Sequence, residues 1–393
     1  MKCEAPERAD VVEVVRWLVS DDCQRLDDVT MISEFGRRLR ALGIAVDRLG
    51  LHLRTLHPQF LARSLLWSPD RPIAIFDREA VPGAFPGSLN TLLSRVRQNG
   101  EWVIEQSSDD EPLLDWFDVY RGHQVKSFVA APLVMGHGPP GVAVFASQAA
   151  SSFTHEAIMA LTEIAPALRC ACEIKILRRT EATLLHTYVG RATAQRVLDG
   201  HIRRGHVETL QAALFMCDLR DFTRMSNRLP PAEVLDRLNG YFDQVVPAIT
   251  ARGGEILKFM GDAVLAFFGG DAGPAANCAA AYDAALEALR RIEAISPPLH
   301  AGVALHHGKV AYGNIGSEGR LDFTVIGRDV NLLSRIETAC SMTSQPLLMS
   351  SEFAAHLGLQ RTRSIGRHAL KGFTAPAELF APAEPCVAAA LPN

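Results

Sequence analysis

The sequence predicts an α/β protein of more than one domain, and three observations predict it. Strand-like runs alternate with amphipathic helices from about residue 10 to residue 382. At 393 residues the chain is long enough for two or three separate cores. Finally, Gly253–Phe268 reads as two apolar strands, Glu255–Met260 and Ala263–Phe268, folded back through Gly261-Asp262. Glycine and aspartate tolerate the positive φ that such a turn needs.

Composition narrows the class. Hydrophobic residues make up 48% of the chain and charged residues 21%, the balance of an ordered globular protein. A formal net charge of −4 gives no reason to expect a nucleic-acid partner or an anionic membrane surface. The eight cysteines are scattered, several of them in apolar runs, which reads as a reduced chain rather than a disulfide framework. Cys170-x-Cys172 has no matching Cys/His pair, and Cys172 falls on an apolar stripe. No apolar run approaches the roughly 18 residues of a membrane span. The N-terminus is too acidic for a signal peptide. The expectation is a cytoplasmic protein.

In chain order, residues 10–20 and 29–42 are predicted helices, the second with Ile32, Phe35, Leu39 and Leu42 at helical spacing. Strands are predicted at Leu49–Leu56, Ser64–Trp67 and Pro72–Phe76, then a helix over 88–98 and a strand over 101–106. Residues 126–147 read as a hairpin turning at Gly136–Gly141. The order of these elements resembles a GAF domain. That resemblance implies a sensor with an unknown small-molecule or protein input; the other reading is a pocket that has lost its ligand and only dimerises. Residues 154–188 form a connecting helix. Ile158, Leu161, Ala165, Leu168 and Cys172 make a narrow stripe, resumed by Leu177, Leu184 and Tyr188, which fits a two-helix seam between protomers. The alternative is a helix lying on its own domain. Pro166 predicts a kink or break. A further helix is expected to end near Gly200.

Beyond that joint, an apolar strand, Leu210–Cys217, ends on Asp218. A helix follows with a core stripe of Leu235, Leu238, Phe242, Val245 and Ile249, closed by Gly253-Gly254. After the Gly261-Asp262 hairpin come a helix over Ala275–Ile295 and a second predicted hairpin, residues 299–305 and 309–316, turning at His306-His307-Gly308. The two histidines read as satisfied or solvated rather than catalytic. A strand at 323–327, a helix at 328–342, a strand at 346–350, a helix at 351–357 and strands around 368–373 complete a predicted sandwich with helices on its outer face.

Asp218 and Asp262 would each be costly in an apolar setting without a cation. Side by side at strand ends they make a hard-oxygen site suited to Mg²⁺ or Mn²⁺. Asn331 and Arg335 are one turn apart on a helix and project to one side, where an arginine fork can neutralise phosphoryl oxygens.

FMCDLRDFT, ILKFMGDAVLAFF, FTVIGRDVNLLSRIE and LKGF, in this order, resemble the class III adenylate cyclase catalytic domain. The implied chain is a 1–27 helical segment, a GAF-like α/β sensor (28–153), a helical connector (154–207), a ferredoxin-like, palm-type cyclase domain (208–382) and a 383–393 tail. The resemblance implies that ATP becomes 3′,5′-cyclic AMP and pyrophosphate across a homodimer interface, with two divalent ions. Asp218, Asp262 and the Leu219 carbonyl would hold the metals. Lys258 and Thr324 would read the purine, Asn331 would hold the ribose and Arg335 the reacting phosphate. Lys371, Phe222 and Thr223 would bind further parts of the substrate. Two positions depart from the pattern: Asp221 replaces a usual glycine, and Arg328 a frequent aspartate. The alternatives are a guanylate cyclase, disfavoured by Lys258 where an acid is usual, and a silent nucleotide-binding or dimerising module. A diguanylate cyclase is disfavoured because Ile256-Leu257 follow Gly253-Gly254-Glu255.

Overall fold

The structure is a computed structural model describing residues 8–57, 59–79, 92–107, 113–114, 120, 122–136, 140–150, 152–205 and 207–384. Residues 88–91 of one predicted helix and the middle of the predicted turn at 136–141 lie outside the described residues. The chain divides into two compact units, Met1–Leu184 and Leu185–Asn393.

The first unit opens with α1 (Arg8–Leu18), α2 (Asp21–Arg25) and α3 (Asp28–Ala41). Ser20 and Asp27 cap α2 and α3 by accepting from backbone N–H groups, as short polar residues at helix starts do. There follow β1 (Arg48–Arg54), β2 (Phe60–Ser68), β3 (Arg71–Glu79), α4 (Leu92–Asn99), β4 (Val103–Gln106), β5 (Ser127–Leu133), β6 (Gly141–Ser147) and α5 (His155–Val189), whose residues 185–189 belong to the second unit. The strands form an antiparallel sheet in the order β3-β2-β1-β6-β5-β4. Leu49, Leu51 and Leu53 of β1 face a core shared with α1, α3 and α5, while α4 covers the other side through Leu92 and Val96.

Two expectations for α5 change. It is one continuous helix through Pro166, which is exposed, so the predicted break is absent. Leu161, Ala165, Leu168 and Cys172 are buried, and Leu161, Leu168 and Cys172 belong to this unit's own core. That half of the stripe therefore covers its own sheet instead of facing a second protomer. Leu177 and Tyr188 are exposed. Among the described residues, Cys23, Cys170, Cys172, Cys217, Cys278 and Cys340 are all free of disulfides.

The second unit runs α6 (Arg191–Leu198), β7 (Val207–Leu219), α7 (Phe222–Ser226), α8 (Pro231–Thr250), β8 (Glu255–Met260), β9 (Ala263–Phe268), α9 (Pro274–Glu293), β10 (Ala301–Ser317), β11 (Arg320–Ile326), α10 (Arg328–Met342), β12 (Leu347–Ser350), α11 (Ser351–Leu357), β13 (Thr362–His368) and β14 (Ala377–Pro382). Its sheet order is β13-β14-β12-β10-β7-β9-β8, with β11 on β10. The segment β7-α8-β8-β9-α9-β10 is thus a βαββαβ unit of ferredoxin-like order. β7 explains the layering, because successive side chains alternate faces. Ala213, Phe215 and Cys217 pack with α8, α9 and α11, and Ala212, Leu214 and Met216 pack with α10. Helices therefore cover both faces of the sheet, where one outer layer was expected. Fully burying a ring such as Phe215 or Phe268 contributes about 2–3 kcal/mol.

The predicted hairpin at His306-His307-Gly308 is also overturned. β10 runs unbroken through these residues and pairs with β7 from Ala301↔Leu219 to Gly313↔Val207. The chain reverses instead after Ser317, into β11. Gly308 signals a close approach and not a turn: a Cβ there would overlap the Asp329 carboxylate and the His306 ring. Asp329 accepts from the Lys309 backbone N–H at 2.7 Å, which seats the start of α10 on β10. Gly308→Ala should accordingly destabilise the protein by about 1–3 kcal/mol in chemical denaturation. Gly319→Ala, where a Cβ meets nothing within 4 Å, should stay within about 0.5 kcal/mol of the parent.

Candidate active site

β7 and β9 are antiparallel neighbours whose last registered pair is Cys217↔Val264. One step further along β7 Asp218, still paired with Gly302 of β10, has passed the end of β9, and Asp262 sits in the two-residue turn closed by Met260↔Ala263. The two carboxyl groups thus stand at the same end of the sheet and line one cleft. Burial, and then the facing Asp262, push the Asp218 carboxyl well above the usual carboxylate range, with Glu337 adding to the effect and Arg220 opposing it. Asp218 Oδ1 is buried and has no hydrogen-bond partner among the described residues. A buried, unpartnered carboxylate oxygen against a second carboxylate is the donor set of a hard divalent cation. Among the described residues no cluster of three or more His, Cys, Asp or Glu side chains could hold a metal. The remaining ligands of such an ion would be backbone carbonyl, phosphate oxygen or water, the usual surroundings of Mg²⁺.

The pair opens onto a cleft of about 620 Å³ whose walls include Leu219, Asp221, Phe222 and Thr223. Phe222 and Thr223 begin α7, so the structure brings both beside the carboxylates. Asp221 enters α7 with φ +58°, in the left-handed region. Glycine occupies that region freely, and aspartate is among the few other residues that tolerate it. The departure from glycine is thus conformationally allowed, and it leaves an exposed carboxylate in the cleft wall.

None of Lys258, Thr324, Asn331, Arg335 or Lys371 lines this cleft in the single chain. Lys258 follows a bulge in β8, where the register shifts between Ile256 and Lys258 and re-aims the strand. Its Nζ donates to Asp322 Oδ2 at 2.6 Å. Asp322 and the buried Thr324 are alternate residues of β11, so both lie on one face of the strand. Asp322 was not singled out from sequence, although alternation in LDFT already placed it beside Thr324. Lys258 is half-buried and Asp322 exposed, so the pair meets solvent and is easily exchanged.

Asn331 and Arg335 stand one turn apart on α10, with Asn331 exposed and Arg335 half-buried. Arg335 and the exposed Lys371 have no ion-pair partner among the described residues. Arg328 lies over the Phe373 ring at 5.7 Å, which packs the start of α10 on the turn that carries Lys371. His306 is buried within β10, in a strand and not at a turn; its Nδ1 bonds Ser350 Oγ at 2.8 Å, while its buried Nε2 has no hydrogen-bond partner among the described residues, so the expectation of a satisfied or solvated histidine is met only in half.

Residues 207–374 match the family of adenylate and guanylate cyclase catalytic domains. This stretch is a nucleotide cyclase catalytic domain. An adenylate cyclase of Anabaena cylindrica is 30% identical over 172 residues, which are 42% of this chain and 34% of that protein. The solved adenylyl cyclase CyaB from P. aeruginosa is 30% identical and is covered over 96% of its chain and 46% of this one, with a TM-score of 0.41. The solved guanylyl cyclase Cya2 is also 30% identical, over 96% of its chain and 46% of this one, with a TM-score of 0.40. The chain spans 7% to 37% of the length of the first curated relatives it matches. Among the described residues no helix is long and apolar enough to cross a membrane.

Replacing Asp221 separates backbone from charge. Asp221→Ala should cost about 1 kcal/mol or more in chemical denaturation, because alanine resists the left-handed region. Asp221→Gly should leave stability nearly unchanged and, by removing a negative charge from the cleft, lower the KM for a nucleoside triphosphate roughly two- to fivefold.

Proposed function

We propose that this cyclase domain is an adenylate cyclase, converting ATP into 3′,5′-cyclic AMP and pyrophosphate with two divalent cations at a site completed by a second copy of the chain. The observation that carries the reading is the Asp218/Asp262 pair, with its buried unpartnered oxygen at the mouth of an open cleft. Cyclisation requires the ribose 3′-hydroxyl to lose a proton and attack the α-phosphorus in line, expelling pyrophosphate. Divalent cations, when bound, make that hydroxyl more acidic and offset charge on the triphosphate. Asp218 and Asp262 would hold them, with the Leu219 carbonyl.

The other side chains bind and orient. Lys258, released from Asp322, donates to adenine N1, and Thr324 orients the exocyclic amine. Asp322 then remains as an acceptor beside the purine edge. Adenine offers an acceptor at N1 where guanine offers a donor, so an ammonium there favours ATP. Asn331 positions the ribose. Arg335, without an ion-pair partner among the described residues, neutralises charge developing on the α-phosphoryl oxygens, an effect of roughly 10²–10³ in rate. Lys371 meets the triphosphate, and Phe222 and Thr223 border it. The separation of these residues from the carboxylate cleft supports a shared site, in which one chain supplies the carboxylates and its partner the α10 and β8 residues. The first unit, an antiparallel sheet with helices on both faces, is read as a GAF-like sensor that regulates this reaction.

Two experiments test the reading. Lys258→Glu should depress ATP turnover far more than GTP turnover; an equal fall in both would remove Lys258 from the purine site. Asp218→Ala and Arg335→Ala should each be inactive alone. When they are co-expressed, one of the two sites in each mixed dimer is whole, so roughly a quarter of parental activity should return. Activity that stays at the level of the single variants, with mixed dimers present, rules out the shared site.

A further inference from the structure

The carboxylate pair and α10 are joined by one side chain. Arg220, two residues past Asp218, donates from Nη1 to Glu337 Oε1 at 3.4 Å and also to Ser341 Oγ, so it bridges one turn of the second half of α10. Its guanidinium lies against β10 at Gly302, where a Cβ would overlap it. Its backbone N–H is fixed to the His300 carbonyl at 2.8 Å. Glu337 is buried, and its carboxyl is raised by burial, drawn down by Arg220 and raised again by Asp262. Arg220 is thus the cation set against two carboxyl groups, Glu337 through a hydrogen bond and Asp218 two residues before it on the same strand end.

We propose that Arg220 is a positioning residue with two separable roles: its guanidinium, bonded through Nη1 and seated at Gly302, ties α10 to the strand that carries Asp218, and its charge sets how strongly the carboxylate pair draws a divalent cation. The inference rests on the cyclase reading, in which α10 presents Asn331 and Arg335 to substrate. Geometry supplies the first role. Nη1 reaches Glu337 and Ser341 together while the rest of the planar group is seated at Gly302, a shape that the compact ammonium of lysine does not reproduce. A helix released by even about 1 Å misplaces both substrate-facing residues and slows turnover by up to about 100-fold. Coulomb's law supplies the second. A fixed positive charge beside two carboxylates weakens their attraction for a metal ion, and its removal strengthens it.

The test uses the 393-residue chain with Mn²⁺ and 3′-deoxy-ATP, which lacks the attacking hydroxyl. Bound Mn²⁺ is counted by electron paramagnetic resonance, and turnover of ATP is measured in parallel. Arg220→Gln should bind Mn²⁺ several-fold more tightly and yet lose about tenfold or more in kcat. Arg220→Lys, which keeps the charge, should bind Mn²⁺ within about twofold of the parent and lose kcat as the glutamine variant does. Glu337→Gln should bind Mn²⁺ more weakly and also lose kcat. Unchanged or weaker Mn²⁺ binding in Arg220→Gln overturns the charge role. A kcat within about twofold of the parent in Arg220→Lys overturns the clamp. A parent protein that binds Mn²⁺ but forms no cyclic nucleotide overturns the cyclase reading instead, and the resonance measurement still decides the charge role.

Discussion

Everything in the second unit is arranged around the repulsion between Asp218 and Asp262. Antiparallel pairing of β7 with β9 is stabilised by apolar contacts such as Phe215 with Phe268, whose ring centroids are 6.3 Å apart. That pairing brings two acids together at one end of the sheet whether or not a cation is present. The burial that stabilises the sheet is also the first cause of the shift at Asp218. Folding and function pull in opposite directions here, and the strain is discharged through charge. Arg220 opposes part of it within the chain, and a divalent ion is the natural complement for the rest.

The second constraint is the length of β10. At 17 residues it spans the unit, pairing with β7 on one side and with β12 and β11 on the other. α10 lies across it and is held near both ends over glycines, at Gly308 by Asp329 and at Gly302 by Arg220. Between those seats Leu333, Ile336 and Cys340 enter the core. Asn331 and Arg335 are left outside that apolar face. The placement of two polar side chains thus follows from where two glycines admit a helix to a strand.

Much of this was legible in the sequence. The Gly261-Asp262 hairpin, the strand ending on Asp218 and the Asn331/Arg335 spacing depend on local signals: turn chemistry and side-chain periodicity. The failures share a cause. His306-His307-Gly308 reads as a turn because glycine marks turns, whereas this glycine serves a contact with Asp329, 21 positions along the chain. Ile158 to Cys172 reads as a seam because a narrow apolar stripe does not say which surface covers it; the chain's own sheet does. The bulge before Lys258 and the pairing of Lys258 with Asp322 are tertiary facts with no separate local mark. Periodicity locates an apolar face. It does not name the face's partner.

On the proposed reading, the same geometry has a consequence for the assembled enzyme. One chain gives its carboxylates to one site and its α10 residues to the other. Within that chain Arg220 and Glu337 bridge the strand of the first to the helix of the second. Each intrachain bridge therefore connects two different active sites. Divalent charge held at Asp218 and Asp262 would change the field at Glu337, which is hydrogen-bonded to Arg220 two residues past Asp218. A weakened hold of Glu337 on Arg220 would be felt along α10, where Arg335 stands two residues earlier. Coupling between sites then needs no moving domain, only a partly buried ion pair whose strength depends on the charge beside it.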